Sequence, residues 1–405
     1  MLKPLHRAIA AAALLVLAAG LRADDTDARQ AYGAGNTDLQ TAITRPTLAQ
    51  RLSDWASAEG HFKDAVRLKP DYAEAWDKLG QAQFNQEKVF DAVTSLKHAV
   101  VIDPRLTEAW YDLGFALENL DSEKQIKADD KTRKKLGRTE VTDAMAAYHQ
   151  ALAVDPVKDV PSVANAQFRL GVLLRDEAVK AAEAAQAQSL TPSAALLPDQ
   201  ANLKEAMGHL EEAVRLVPDF PEAHNELGRV YDLIGRYNEA IDQYTQAING
   251  QKDYAEAYSN RGVAWWKAGN WDKALEDCRK ATEIRPDFAG GHYNFAEVVF
   301  ARVEELRLSG ADSDRSIIHP EAKKAVDEYG IATRLDPDLM PAWYGLAKAY
   351  HGYFDYANAE KTYLKILDMD KRQRQAKVLL KAVQAEEKAF VSHIPKQYRD
   401  DQKGN

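Results

Sequence analysis

The chain has 405 residues, 45% of them hydrophobic, with 62 acidic against 53 basic side chains for a net charge of −9. That is enough apolar residue for a core and too much chain for one ordinary compact domain of about 100–200 residues. The acidic balance argues against a nucleic-acid partner, and the single cysteine, Cys278, excludes an intramolecular disulfide framework, an iron–sulfur cluster and a c-type haem.

In chain order, Lys3 and Arg7 precede a small or apolar run from Ala8 to Leu21. A membrane helix needs roughly 20 such residues; a basic start, a short apolar stretch and a small residue before polar sequence read as a secretory signal peptide. Residues 1–23 are assigned to it, with cleavage after Ala23, or alternatively after Gly20. No second long apolar run follows, so no integral span is expected in the mature chain, and the bacterial periplasm is the expected destination. Residues 24–46, polar and holding Gly33 and Gly35, read as an extended or disordered lead, with Pro46 breaking the would-be first helix of a repeat. Residues 47–70 read as half of a repeat, with one helix over Leu48–Leu68 carrying Ala58, Phe62 and Ala65.

From there the chain repeats. Pro70 and Pro104 are 34 residues apart, as are Pro218 and Lys252, Lys252 and Pro286, and Pro337 and Lys371. Trp76-x2-Leu79-Gly80 returns as Trp110-x2-Leu113-Gly114, His224-x2-Leu227-Gly228-x2-Tyr231, Tyr258-x2-Arg261-Gly262-x2-Trp265 and Trp343-x2-Leu346-Ala347-x2-Tyr350. A second helix follows with alanines seven apart in six units: Ala92/Ala99, Ala144/Ala151, Ala206/Ala213, Ala240/Ala247, Ala274/Ala281 and Ala325/Ala332. Trp76, Leu79, Gly80 and Gln83 lie on one helix face, and proline ends the second helix of the unit. This pattern resembles the tetratricopeptide repeat family, whose 34-residue unit is a helical hairpin.

The resemblance implies an all-α fold: a right-handed α-solenoid of stacked antiparallel helix pairs. Seven units cover residues 71–371, a capping helix covers 372–391, and 392–405 form a polar tail. Three units are long, with insertions at about 119–140, 176–203 and 302–321. The first is basic, through Lys124, Lys127, Lys131, Arg133, Lys134, Lys135 and Arg138, and offers a contact for an anion or an acidic partner. The other two begin as helical extensions, Ala178–Ala187 and Val303–Leu308, the last followed by a loop from Gly310 to Pro320.

The resemblance also implies a concave groove lined by the first helices. Rotating one residue from the core face, about 100°, selects its lining. The first two full units contribute Asp77, Gln81, Phe84, Tyr111 and Phe115, and the third Phe168 and Arg175. Asn225, Arg229 and Trp266 follow, then Tyr293, and Tyr344, Lys348 and His351 in the last. Asn260 and Asn294, one station over, suggest an asparagine ladder for a peptide backbone. Rings with sparse polar groups suit an extended peptide.

The sequence carries no G-x-S-x-G, phosphate loop, H-E-x-x-H or C-x-x-C. It therefore reads as a non-catalytic scaffold without cofactor or metal; the resemblance implies protein or peptide partners, in cell-envelope assembly or export. Self-association into a homo-oligomer is the alternative, and an enzyme with a loop-built site the remote one.

Overall fold

The computed structural model describes residues 3–120, 140–154, 159–188, 200–308, 315–352, 355–370 and 374–393; these form seventeen helices and no strand. They fall into two compact units, Met1–Pro218 and Asp219–Asn405. The first unit holds α1 (Lys3–Thr44), α2 (Leu48–Leu68), α3 (Ala73–Asn85), α4 (Val89–Ile102), α5 (Thr107–Leu120), α6 (Glu140–Ala153), α7 (Val160–Gln188) and α8 (Gln200–Leu216). The second holds α9 (Pro221–Leu233), α10 (Tyr237–Gly250), α11 (Ala255–Lys267), α12 (Trp271–Ile284), α13 (Ala289–Leu308), α14 (Arg315–Leu335), α15 (Met340–Gly352), α16 (Tyr356–Met369) and α17 (Arg374–His393).

Within each unit, neighbouring helices pair as hairpins and hairpins stack on one another, with the first helices of successive hairpins in direct contact. The pairing follows from side-chain volume. Each second helix buries one large or soft residue, between two alanines for Phe62, Leu96, Tyr148, Leu210, Tyr244, Cys278 and Tyr329, and between Ala359 and Ile366 for Tyr363. A glycine often faces it, and a Cβ on Gly114 would lie 2.7 Å from the Tyr148 ring. Burial pushes the Cys278 thiol up in pKa, so it stays an inert core group.

The aromatic station does more than fill space. The indole Nε1 of Trp76, Trp110 and Trp343 donates to the carbonyl of Pro70, Pro104 and Pro337 at 2.9, 3.0 and 2.9 Å. His292 does the same with Nε2 to the Pro286 carbonyl at 3.0 Å. A ring N–H thus ties each of these first helices to the proline turn six residues earlier.

The structure corrects the reading of residues 24–70. They are no extended lead and half-repeat but a complete hairpin. Residues 24–44 are the C-terminal part of α1, with Ala28 and Ala42 fully buried and Ala31, Tyr32 and Leu39 packed against Phe62 and its neighbours. Gly35 takes the repeat glycine's place, a Cβ there falling 2.7 Å from Phe62. Pro46 breaks no helix; it lies in the turn between α1 and α2, where Thr47 caps α2 by accepting from the Gln50 backbone. The described residues therefore form eight hairpins, four in each unit, before α17. That last helix buries Ala376 and Val383 among Tyr363 and Ile366.

Of the insertions, the basic residues Lys124, Lys127, Lys131, Arg133, Lys134, Lys135 and Arg138 lie outside the described residues, as do 189–199 and the polar tail beyond His393. The helical extensions run on in α7 to Gln188 and in α13 to Leu308. The expected loop up to Pro320 is shorter than the sequence suggests, because α14 begins at Arg315 and contains Pro320 near its start.

Candidate functional site

The inner-face positions divide by burial. Phe84, Tyr111 and Phe115 are half-buried and pack together across two hairpins, with Phe84–Phe115 centroids 5.2 Å apart and Tyr111 6.0 Å from Tyr148. Trp266 and Tyr293 pack likewise, 6.4 Å from Trp271 and 6.2 Å from Tyr329. Tyr344 leans on the α17 cluster, and Phe168 is half-buried. These rings present one side to the core and one outward. Arg229 and Lys348 are exposed; Arg229 pairs with Glu226 at 3.2 Å.

Three expected contacts are corrected. Asp77 and Asn225 are 1% and 3% exposed and already engaged within the chain, Asp77 by the Gln81 amide and Asn225 by the Asn260 amide, and Arg175, 4% exposed, is bonded to Asp176. The expected asparagine ladder is internal. Asn260 Nδ2 donates to Asn225 Oδ1 at 3.0 Å, and Asn294 Nδ2 donates to Ser259 Oγ at 2.9 Å. Each rung joins residues 35 apart on adjacent first helices, so these amides fasten hairpin to hairpin.

Asp77 and Asp112 occupy the same rung in the first unit, also 35 residues apart. Burial raises the Asp77 carboxyl well above the usual range, reinforced by the charge of Asp112. Burial likewise pushes Asp112 up to about 6, against the pull of the Gln81 amide that donates to it at 2.6 Å. Carboxylate oxygens of Asp77, Glu108 and Asp112 lie within 4.8 Å of one another. The Lys78 ammonium sits among them, 2.7 Å from Glu108 and 3.4 Å from Asp77, and supplies the cation these acids call for.

Each unit has a cleft on this face. In the first, Asn36, Leu39, Gln40 and Ile43 of α1, Trp55 of α2, and Lys78, Gln81 and Asn85 of α3 line about 250 Å³. Amides that both donate and accept alternate there with apolar side chains. In the second, a cleft of about 490 Å³ is lined by Phe300, Glu304 and Arg307 of α13, Lys348, His351 and Gly352 of α15, Tyr363 of α16, and Leu379 and Glu386 of α17. His351 Nε2 lies 2.8 Å from Glu386. Sequence reasoning missed Asn36, Gln40, Trp55, Arg307, Tyr363 and Glu386. The signal for the first three was Gly35 and Ala58, which fall into the repeat register once extra residues are allowed between them.

Family models described as tetratricopeptide repeat match residues 47–107 and 133–195, 255–288, and 341–373, and one described as TPR repeat matches 230–269. These are tetratricopeptide repeats. Among curated proteins, the tetratricopeptide chain is 25% identical over 184 residues to the human (Homo sapiens) protein O-mannosyl-transferase TMTC1, covering 45% of this chain and 19% of that one. It is 35% identical over 69 residues to the peroxisomal targeting signal receptor of Saccharomyces cerevisiae, covering 17% of this chain and 11% of that one. The chain thus spans a fifth or less of the length of these relatives. Among solved structures, it resembles YrrB, described as a TPR protein with an unusual peptide-binding site, at 20% identity and a TM-score of 0.38, over 57% of this chain and 95% of that one. It also resembles the APC/C hetero-tetramer Cut9–Hcn1, at 16% identity and a TM-score of 0.49, over 78% and 51%.

Proposed function

We propose that this tetratricopeptide chain is a non-catalytic scaffold that holds an extended segment of a protein partner along its first helices, after export across a membrane, in the assembly or export work of a bacterial cell envelope. The observation that carries the binding part is the cleft of the first unit. Asn36, Gln40 and Asn85 offer donors and acceptors for a peptide backbone, beside Leu39, Trp55 and Ile43, the last 76% exposed. An extended strand has unpaired backbone groups on both edges and side chains pointing alternately away. A surface that alternates amides with apolar groups matches both needs.

Export is supported by Lys3, Arg7 and the apolar run ending at Leu21. Cleavage after Ala23 places Asp24, Asp25 and Asp27 in the first turn of the trimmed α1, where carboxylates meet the positive end of the helix dipole. The binding test uses immobilised random hexapeptides against the purified chain and a triple variant, Asn36→Ala, Gln40→Ala and Asn85→Ala. Retained peptide is expected to fall with melting unchanged; equal retention overturns the assignment. Export is tested by mass analysis of the N-terminus of chain recovered from the periplasm; an intact Met1, or recovery only from cytoplasm, overturns it.

A further inference from the structure

The last hairpin departs from an arrangement that two earlier ones share. Tyr148 of α6 donates its hydroxyl to Glu118 Oε2 at 3.0 Å, and Tyr329 of α14 donates to Glu297 Oε1 at 2.6 Å. Each carboxylate stands on the first helix of the same hairpin as its tyrosine. In repeat register, with the insertions of those two hairpins set aside, Tyr363 of α16 corresponds to the tyrosines, His351 to Glu118 and Lys348 to Glu297. The ring has been kept and both carboxylate stations have lost their acceptor.

The consequence is visible at Tyr363. It is 0% exposed and its hydroxyl has no hydrogen-bond partner among the described residues. A buried polar group left unmade is costly, and native structures give such groups a partner. Burial pushes this phenol up to about 12, so it remains a donor. Lys348 is exposed and makes no ion pair among the described residues. Both line the 490 Å³ cleft. The acids of that cleft are already engaged, Glu304 with Arg307 at 3.1 Å and Glu386 with His351 at 2.8 Å. Phe300 and Leu379 supply apolar wall.

The cleft is also built partly from outside the repeat. Glu304 and Arg307 come from the helical extension of α13, and Leu379 and Glu386 from α17, none of which belongs to the 34-residue hairpin. A donor without an acceptor and an ammonium without a counter-ion, facing one cleft, call for a negatively charged oxygen.

We propose that this cleft takes a carboxylate of the bound peptide, the partner supplying to Tyr363 and Lys348 the group that Glu118 and Glu297 supply within the chain. The proposal rests on the peptide-binding reading above and names the chemistry of the segment held: an acidic group beside an apolar residue. The carboxylate is that of an Asp or Glu side chain or of a chain end, and the test has an arm for each.

The probe is a positional-scanning library of acetylated hexapeptides, made once with amidated and once with free C-termini, applied to the full chain. An acidic side chain shows as enrichment of Asp or Glu at one position of the amidated library; a chain end shows as retention confined to the free-acid library. In either arm the preference is expected to fall about tenfold or more in Tyr363→Phe and in Lys348→Gln, the scale of one charge-assisted hydrogen bond. Both variants should melt no lower than the parent, since one removes an unpartnered hydroxyl and the other an exposed cation. Lys348→Glu rebuilds the Glu297 station, so it should abolish the acid preference and raise the melting temperature. Peptide retention with no acid preference, or a preference that all three variants leave intact, overturns the proposal while the peptide-binding reading stands. No retention of any peptide overturns both.

Discussion

Replacing Asp112 with asparagine should stabilise the first unit, and more so at high pH. The side chain shares a rung with Asp77, in the register where Asn225 and Asn260 pair without charge in the second unit. Burial raises its pKa from 3.8 to about 6. A carboxyl whose folded pKa lies above its unfolded one binds its proton more tightly when folded. Its contribution is thus favourable below about pH 4 and is lost as pH rises through 6. About two pKa units correspond to about 3 kcal/mol at pH 8. The neighbouring Lys78 and partial water access reduce the gain expected from removing the charge to roughly 1–3 kcal/mol. Asn keeps an oxygen for the Gln81 amide, so Asp112→Asn loses no hydrogen bond. The assay is hydrogen exchange of α3 and α5 amides, with urea melts, at pH 5 and pH 8. A gain larger at pH 8 than at pH 5 supports a buried Asp112 carboxyl raised in pKa; a pH-independent change, or destabilisation at pH 8, refutes it.

Three further outcomes follow from the packing. Glu87, at φ 61°, occupies the hairpin station that Gly235 and Gly269 fill at φ 79° and 83°, so Glu87→Gly should raise stability by about 1 kcal/mol in urea unfolding. Gly35→Val should weaken the first hairpin by about 1–3 kcal/mol, because its Cβ meets Phe62 at 2.7 Å; proteolysis between α1 and α2 reports it, and a silent substitution would return residues 24–44 to an unpacked lead. His292 is pulled down in pKa by burial but raised overall by the Glu328 carboxylate at 2.7 Å and the Pro286 carbonyl. It therefore stabilises the second unit below about pH 6.5, and that contribution is lost as pH rises through the higher folded value. His292→Phe should melt lower than the parent at pH 5.5, with the gap narrowing by pH 8.5.

The hairpins from α3 onward were legible because glycine, paired alanines and helix-ending proline recur at fixed intervals, and volume complementarity leaves few substitutes at those places. The first hairpin was hidden by its own chemistry. The α1 sequence from residue 24 buries alanines rather than large residues, so its core face is as pale as a loop, and Pro46 mimics a helix break. The groove was legible as a helix face but not as a contact map. One residue of rotation separates core from surface, yet Asn225, Asn260 and Asn294 turn sideways into rungs between hairpins, and Asp77 is buried beside Asp112 of the next hairpin. The orphaned hydroxyl of Tyr363 could be suspected only by comparing one repeat with another, since its meaning lies in two carboxylates found elsewhere and absent here.

The central claim is that a peptide lies along the first helices and not along the second. It is tested most directly by placing a photo-crosslinking residue, one at a time, at Asn85, Arg229 and Lys348 on first helices, and at Lys97 and Lys280, exposed on second helices. The probe is a biotinylated random hexapeptide library. Biotin is expected on the Asn85, Arg229 and Lys348 variants in clear excess over the other two. Equal labelling at all five, or labelling concentrated at Lys97 and Lys280, would contradict it.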